Sequence, residues 1–171
     1  MTRPFYTRRR FLKTTGATGL VAAAGGLASP ALASGRPIKI GFVTPQTGPL
    51  AIFAEPDAFT LAQFRARIGD GIMINGTRHP VEFIVKDSQS NPNRAAEVAR
   101  ELISRDEVNL ILVASTPETT NPVCSVAESE EIPVISTVAP WQPWFIGQQG
   151  NPADPESWQE FDYVYHFFWG L

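Results

Sequence analysis

The 171-residue sequence predicts an α/β fold, a doubly wound parallel sheet. Two observations carry that reading. Short β-branched, apolar runs recur along the chain, and stretches of helical periodicity separate them, the alternation that right-handed crossovers fold into a parallel sheet. A third concerns what holds the fold together. Cys124 is the only cysteine, so neither an internal disulfide nor a cysteine-rich zinc site is available, and the fold must stand on its core.

The elements follow in order. Residues 38–43 (IKIGFV) are β-branched and stop at Thr44-Pro45, and residues 81–85 (VEFIV) alternate and stop at Lys86-Asp87; both read as strands. Residues 110–114 (LILVA) and 133–136 (PVIS) are continuous apolar runs, which suit parallel strands buried on both faces. Residues 163–168 are expected to form a fifth strand. Between the first two, Phe59, Ala62, Phe64 and Ile68 sketch a helix. Between the second and third, Asn91-Pro92 supplies an N-cap and a first-turn proline, and Ala95, Ala96, Val98, Ala99, Leu102 and Ile103 recur at helical spacing. Asn121-Pro122 repeats that start signal, predicting a third, shorter helix that carries Val123, Val126 and Ala127 and ends near Glu131. Glu128 to Glu131 reads as its solvated end, and residues 147–157 as a polar loop.

The N-terminus is read as an address rather than as structure. Arg8, Arg9 and Arg10 lead into Phe11-Leu12-Lys13, a weakly apolar Gly/Ala-rich run covers residues 14–28, Pro30 breaks any helix, and Ala31-Leu32-Ala33 offers the small residues a signal peptidase reads. Residues 1–33 are therefore expected to be a twin-arginine signal peptide, cut after Ala33. The translocase is then an export partner and the periplasm the destination. The run is too short and too glycine-broken for a membrane span, which needs about 20 apolar residues. Removing Arg3, Arg8, Arg9, Arg10 and Lys13 leaves nine basic residues against seventeen acidic ones. Such a chain has no basic patch for phosphates, so a nucleic-acid partner is not expected.

No residue is predicted to be catalytic, to bind a metal or to hold a cofactor. His79 and His166 have no carboxylate at triad or metal-ligand spacing, no strand-turn motif frames Ser125 or Ser129, and Cys124 reads as a small hydrophobe on its helix. The first strand leads into Thr-Pro-Gln-Thr-Gly-Pro, residues 44–49, and not into the Gly-x-Gly-x-x-Gly turn that a dinucleotide needs. Topology instead directs a ligand to the carboxyl ends of the strands, and hence to residues 44–54, 87–92, 115–122 and 137–144. Ser115, Thr116, Thr119 and Thr120 bring hydroxyls there, beside the amides of a helix expected to begin at Asn121; these groups can cap their own helix, meet a ligand, or do both. Trp141, Trp144 and Phe145 either stack on an aromatic or unsaturated ligand or pack against the flank of the fold.

Taken together, residues 37–43 (PIKIGFV), 47–51 (TGPLA), 85–87 (VKD), 91–96 (NPNRAA) and 132–136 (IPVIS) resemble the type I periplasmic binding proteins of the leucine/isoleucine/valine branch. The resemblance implies the extracytoplasmic receptor of an ABC importer, with an ABC permease as membrane partner. It further implies two α/β lobes on a hinge, with residues 34–171 as an incomplete N-terminal lobe. The implied ligand is a small amino acid, carboxylate, amide or aromatic acid. A ligand-sensing domain of the same fold, signalling to a partner protein, is the alternative. Position by position, the resemblance puts Phe53 where the family has a ligand-facing tryptophan. It puts Pro117, Glu118, Thr119 and Thr120 at a turn bearing a ligand-binding serine, and Ala139, Pro140 and Trp141 on the next contact loop. Pro140 stands near a threonine that holds the amino-acid head group, and proline has neither that hydroxyl nor an amide donor.

Overall fold

In a computed structural model, residues 35–151, 153–154, 156 and 160–170 are described. The segment read as a signal peptide lies outside them. Five parallel strands form the main sheet: β1 (Ile38–Thr44), β4 (Val81–Asp87), β5 (Leu110–Ala114), β6 (Val134–Thr137) and β7 (Val164–His166), in the order β4-β1-β5-β6-β7. Gly41 at the centre of β1 pairs with Ile84 on one side and Ile111 on the other. The helices are α1 (Asp57–Ile68), α2 (Pro92–Ser104), α3 (Pro117–Ser129) and α4 (Trp141–Gly147), and a 3-10 turn spans Ala51–Ala54.

The strand order determines how the faces are covered. The chain leaves β1 in one direction to reach β4 and then steps back the other way through β5, β6 and β7, so right-handed crossovers put α1 on one face and α2, α3 and α4 on the other. The three-helix face holds the main core. Val43, Ile111, Val113 and Val134 meet Ala95, Val98, Leu102, Val123 and Cys124 there, all nearly or fully buried. Gly41 is needed beneath α2, since a Cβ at that position would stand 2.8 Å from Leu102 Cδ1. Among the described residues, the opposite face has α1 and a small core of Phe42, Leu61 and Ala114. It keeps an apolar trough of about 400 Å3 along Ile40, Leu61, Phe64, Leu112 and Ile135.

Four features differ from the sequence reading. Helix α3 begins at Pro117, with Thr116 as N-cap in an extended conformation, so Pro122 lies inside the helix. Thr116-Pro117 is an equally good start signal, and the earlier start buries Thr119 and Thr120 on the same face as Val123. The expected free amides at Asn121 are thus helical. Residues 141–144, read as the end of a loop, instead open α4, which runs to Gly147 and buries Trp144 and Phe145. An antiparallel hairpin of β2 (Ile72–Ile74) and β3 (Thr77–His79) precedes β4, and Asn75 (φ 49°) and Gly76 (φ 80°) make its turn. The Asn-Gly pair is the strongest short-range hairpin signal, and the sequence reading does not include this hairpin. Lastly, Glu128 is not simply a solvated acid: it accepts from the backbone amides of Asp162 and Tyr163.

Candidate functional site

The strand order reverses direction between β1 and β5, which makes the crevice outside their carboxyl ends the place where an open α/β sheet takes a ligand. The loops after β1 and β5 flank it. The β1 loop is fastened to the end of β4. Asp87 accepts from the Thr47 hydroxyl (2.7 Å) and from the amides of Thr47 (3.2 Å) and Gln89 (2.8 Å). Ser90 Oγ donates to the Thr47 carbonyl at 2.7 Å and accepts from the Leu50 amide at 2.9 Å. Burial works to raise the Asp87 carboxyl, and the bonds from Thr47, Gln89 and Gln46 outweigh it and hold it below the usual range. The tie leaves Phe53, 38% exposed, on a braced 3-10 turn. Behind the loop, the Thr44 hydroxyl donates to Asp57, whose carboxyl burial raises and that bond lowers, the net shift being upward.

On the β5 side, Ser115 and Thr119 are each only 1% exposed, and their hydroxyls have no hydrogen-bond partner among the described residues. Thr120 is satisfied, since its hydroxyl donates to the Ser115 carbonyl at 3.2 Å. Pro117 is half-buried and Glu118 exposed at the first turn of α3. The Thr116 side chain and its own amide hold the Glu118 carboxyl below the usual range against a small burial cost. Buried hydroxyls without partners are uncommon, because each forfeits a bond that water would have supplied.

The β6 loop supplies the third wall. Ala139 is fully buried, Pro140 is half-buried at the head of α4, and Trp141 is 40% exposed, its ring tilted against Phe145 at 6.4 Å. Of the eight residues assigned by resemblance, Phe53, Pro117, Glu118, Pro140 and Trp141 therefore reach the surface of this edge. Thr119, Thr120 and Ala139 lie beneath it. Sequence reasoning missed what stands behind the loop. His166, at the end of β7, takes a hydrogen bond at Nδ1 from Ser136 Oγ (2.7 Å), donates from Nε2 to the Ala139 carbonyl (2.9 Å) and stacks on Trp144 at 4.4 Å. Residues thirty apart on parallel strands carry no local signal of such a pair.

Ser136 and His166 do not form a nucleophilic pair. Ser136 is fully buried and the second imidazole nitrogen is spent on a backbone carbonyl instead of a carboxylate. Burial pushes the Cys124 thiol up to about 11 against the opposing pull of Trp144 and Ser136. Among the described residues no cluster of His, Cys, Asp and Glu could hold a metal ion, and no helix is long and apolar enough to cross a membrane.

A family model described as periplasmic binding protein matches residues 37–170. Among solved structures, the branched-chain amino acid transporter substrate binding protein LivJ of Streptococcus pneumoniae, in complex with isoleucine, is 26% identical, with 78% of this chain and 34% of that chain covered and a TM-score of 0.58. An ABC transporter substrate-binding protein from Sphaerobacter thermophilus is 30% identical, with 58% and 26% covered and a TM-score of 0.52. A solute binding protein of an ABC transporter from R. palustris, in complex with 4-hydroxybenzoate, shares the fold at 21% identity, with 79% and 32% covered and a TM-score of 0.58. No curated protein matches. The chain spans about a third of the length of the solved structures to which it is similar.

Proposed function

The chain belongs to the periplasmic binding protein family, and from that membership we propose that it contributes one lobe of an extracytoplasmic solute receptor that hands its ligand to an ABC permease. The work of such a lobe is binding, not catalysis. On this reading residues 1–33 are a twin-arginine signal cleaved after Ala33, the translocase carries the chain out, and residues 34–171 act in the periplasm as the N-terminal lobe.

The observation that carries the proposal is the composition of the carboxyl edge at the reversal between β1 and β5. The unpartnered hydroxyls of Ser115 and Thr119 lie just beneath one side, and Phe53 and Trp141, both partly exposed, belong to the loops around it. Hydroxyls suit a carboxylate or amide oxygen, and aromatic faces suit a branched or ring-bearing body. The ligand is accordingly a small acid, amide or amino acid with an apolar part. The contacts are placed in the loops that the resemblance singles out, with Phe53, Pro117, Glu118, Pro140 and Trp141 at the surface over Thr119, Thr120 and Ala139.

Ligand-observed NMR tests this on the chain itself, because saturation transfer reads weak binding. Isoleucine and 4-hydroxybenzoate are the probes. At least one should give a signal with the unaltered chain and with His79→Ala, whose side chain is held by the Arg36 carbonyl at the amino end of β4. Thr119→Val should weaken binding about two- to tenfold, the equivalent of one hydrogen bond, and Trp141→Ala by more if its ring covers the probe. Equal signals from both loop variants, with unchanged circular dichroism, move the site elsewhere.

A further inference from the structure

Val138 stands out in the backbone. Among the described residues with positive φ outside glycine it alone is β-branched, at φ 76°. A side chain branched at Cβ fits that region poorly, and such a conformation persists only where the surroundings over-determine it. The surroundings do so here. The Ala139 carbonyl accepts from His166 Nε2 at 2.9 Å, the Pro140 carbonyl accepts from the Trp144 amide at 3.2 Å, and the Trp141 amide donates to the Trp169 carbonyl at 3.3 Å.

Of these three restraints, only the first reaches the residue next to Val138, and it comes from a side chain fixed on every side. A carbonyl can only accept, so Nε2 carries a proton. Burial favours the neutral ring, in which Nδ1 is bare and accepts from Ser136 Oγ at 2.7 Å in preference to the longer 3.4 Å contact of that hydroxyl with the Tyr165 carbonyl. Ser136 and His166 are register partners on β6 and β7, which fixes their separation, and the imidazole lies on Trp144 with planes 11° apart. Two strands and α4 thus hold one neutral tautomer against one carbonyl.

We propose that His166 is a positioning residue for the β6 loop: its Nε2–H holds the Ala139 carbonyl, keeps Val138 in the left-handed conformation, and so aims Pro140 and Trp141 at the carboxyl edge. The role of that loop in ligand contact rests on the function proposed above. The clamp itself does not.

Amide hydrogen exchange on the unliganded chain separates the two. His166→Phe keeps a ring on Trp144 and removes both nitrogens, so exchange at Trp141 and Trp144 should rise about tenfold or more while β1 and β5 stay protected. His166→Gln keeps a donor at the Nε2 position and should retain most of that protection. Val138→Gly adopts φ 76° without strain and, added to His166→Phe, should bring loop exchange back to within a few-fold of the unaltered chain. A side chain that merely fills space would not be rescued by a change at Val138. Unchanged loop exchange in His166→Phe, a uniform rise across the whole sheet, or no rescue in the double variant overturns the proposal. If His166→Phe does not fold, His166→Gln decides: selective loss of loop protection there overturns it and retention supports it. Probe binding that fails with the loop intact counts against the proposed function and leaves the clamp standing.

Discussion

Glu128 accepts from the backbone amide of Tyr163 at 3.0 Å, through the oxygen not used by the amide of Asp162, which bonds its partner at the same distance. The carboxylate of α3 therefore fixes where the chain enters β7. Glu128→Ala leaves two amides without their charged acceptor and should lower stability by about 1–3 kcal/mol. Glu128→Gln, which keeps one accepting oxygen, should cost less. Urea unfolding of the three proteins measures the order.

Gly48 has φ 89°, and a Cβ there would stand 2.6 Å from Ser90 Oγ and 2.9 Å from the Gln89 carbonyl. Gly48→Ala must therefore disturb the Ser90 hydroxyl that pins Thr47 and Leu50. A stability loss of about 1–3 kcal/mol is expected from the conformation and the clash together. Proteolysis should then open first in residues 46–54.

Cys124 is fully buried, with its thiol pushed up to about 11. Only the thiolate reacts, so a neutral maleimide or iodoacetamide at mildly alkaline pH should leave the native chain unlabelled and label it fully in denaturant. Rapid labelling of the folded chain would show that α3 separates from the sheet.

Burial pushes the His166 imidazole below its usual range, the hydrogen bond to the Ala139 carbonyl working the other way. The unfolded chain therefore takes up this proton more readily than the folded one, and stability rises with pH through the window. The contribution is complete above the ordinary histidine value of about 6.5 and is lost as pH falls from there through the folded-state value. Thermal melts between about pH 7.5 and pH 5 should show the midpoint falling with acidity, and less steeply in His166→Gln. His79, the other histidine in the sequence, is present in both proteins.

Export should depend on the guanidinium groups of Arg8, Arg9 and Arg10. Replacing all three by lysine keeps the charge and loses the planar fork, so the precursor should stay uncleaved in the cytoplasm. A mature form beginning near Ser34 in the periplasm of the variant strain would refute the twin-arginine route.

Much of the fold was legible in the chain because strands and helices announce themselves locally. The short β-branched runs 38–43, 81–85, 110–114 and 133–136, each closed by a turn or helix-start signal, carry the strands, and Asn91-Pro92 with Ala95, Val98, Ala99 and Leu102 carries both the start and the inward face of α2. The carboxyl edge as the side proposed for the site follows from the βαβ alternation alone. Tertiary structure decided the rest. Both Thr116-Pro117 and Asn121-Pro122 can begin a helix, and the choice fell to the first because it buries Thr119 and Thr120 against the sheet. Residues 141–147 are helical because Trp144 and Phe145 find a core to enter, which no window of seven residues reveals. The left-handed turn at Val138 and the histidine that holds it depend on β6 and β7 lying side by side, and hydrogen bonds across thirty residues are a property of register, not of sequence pattern.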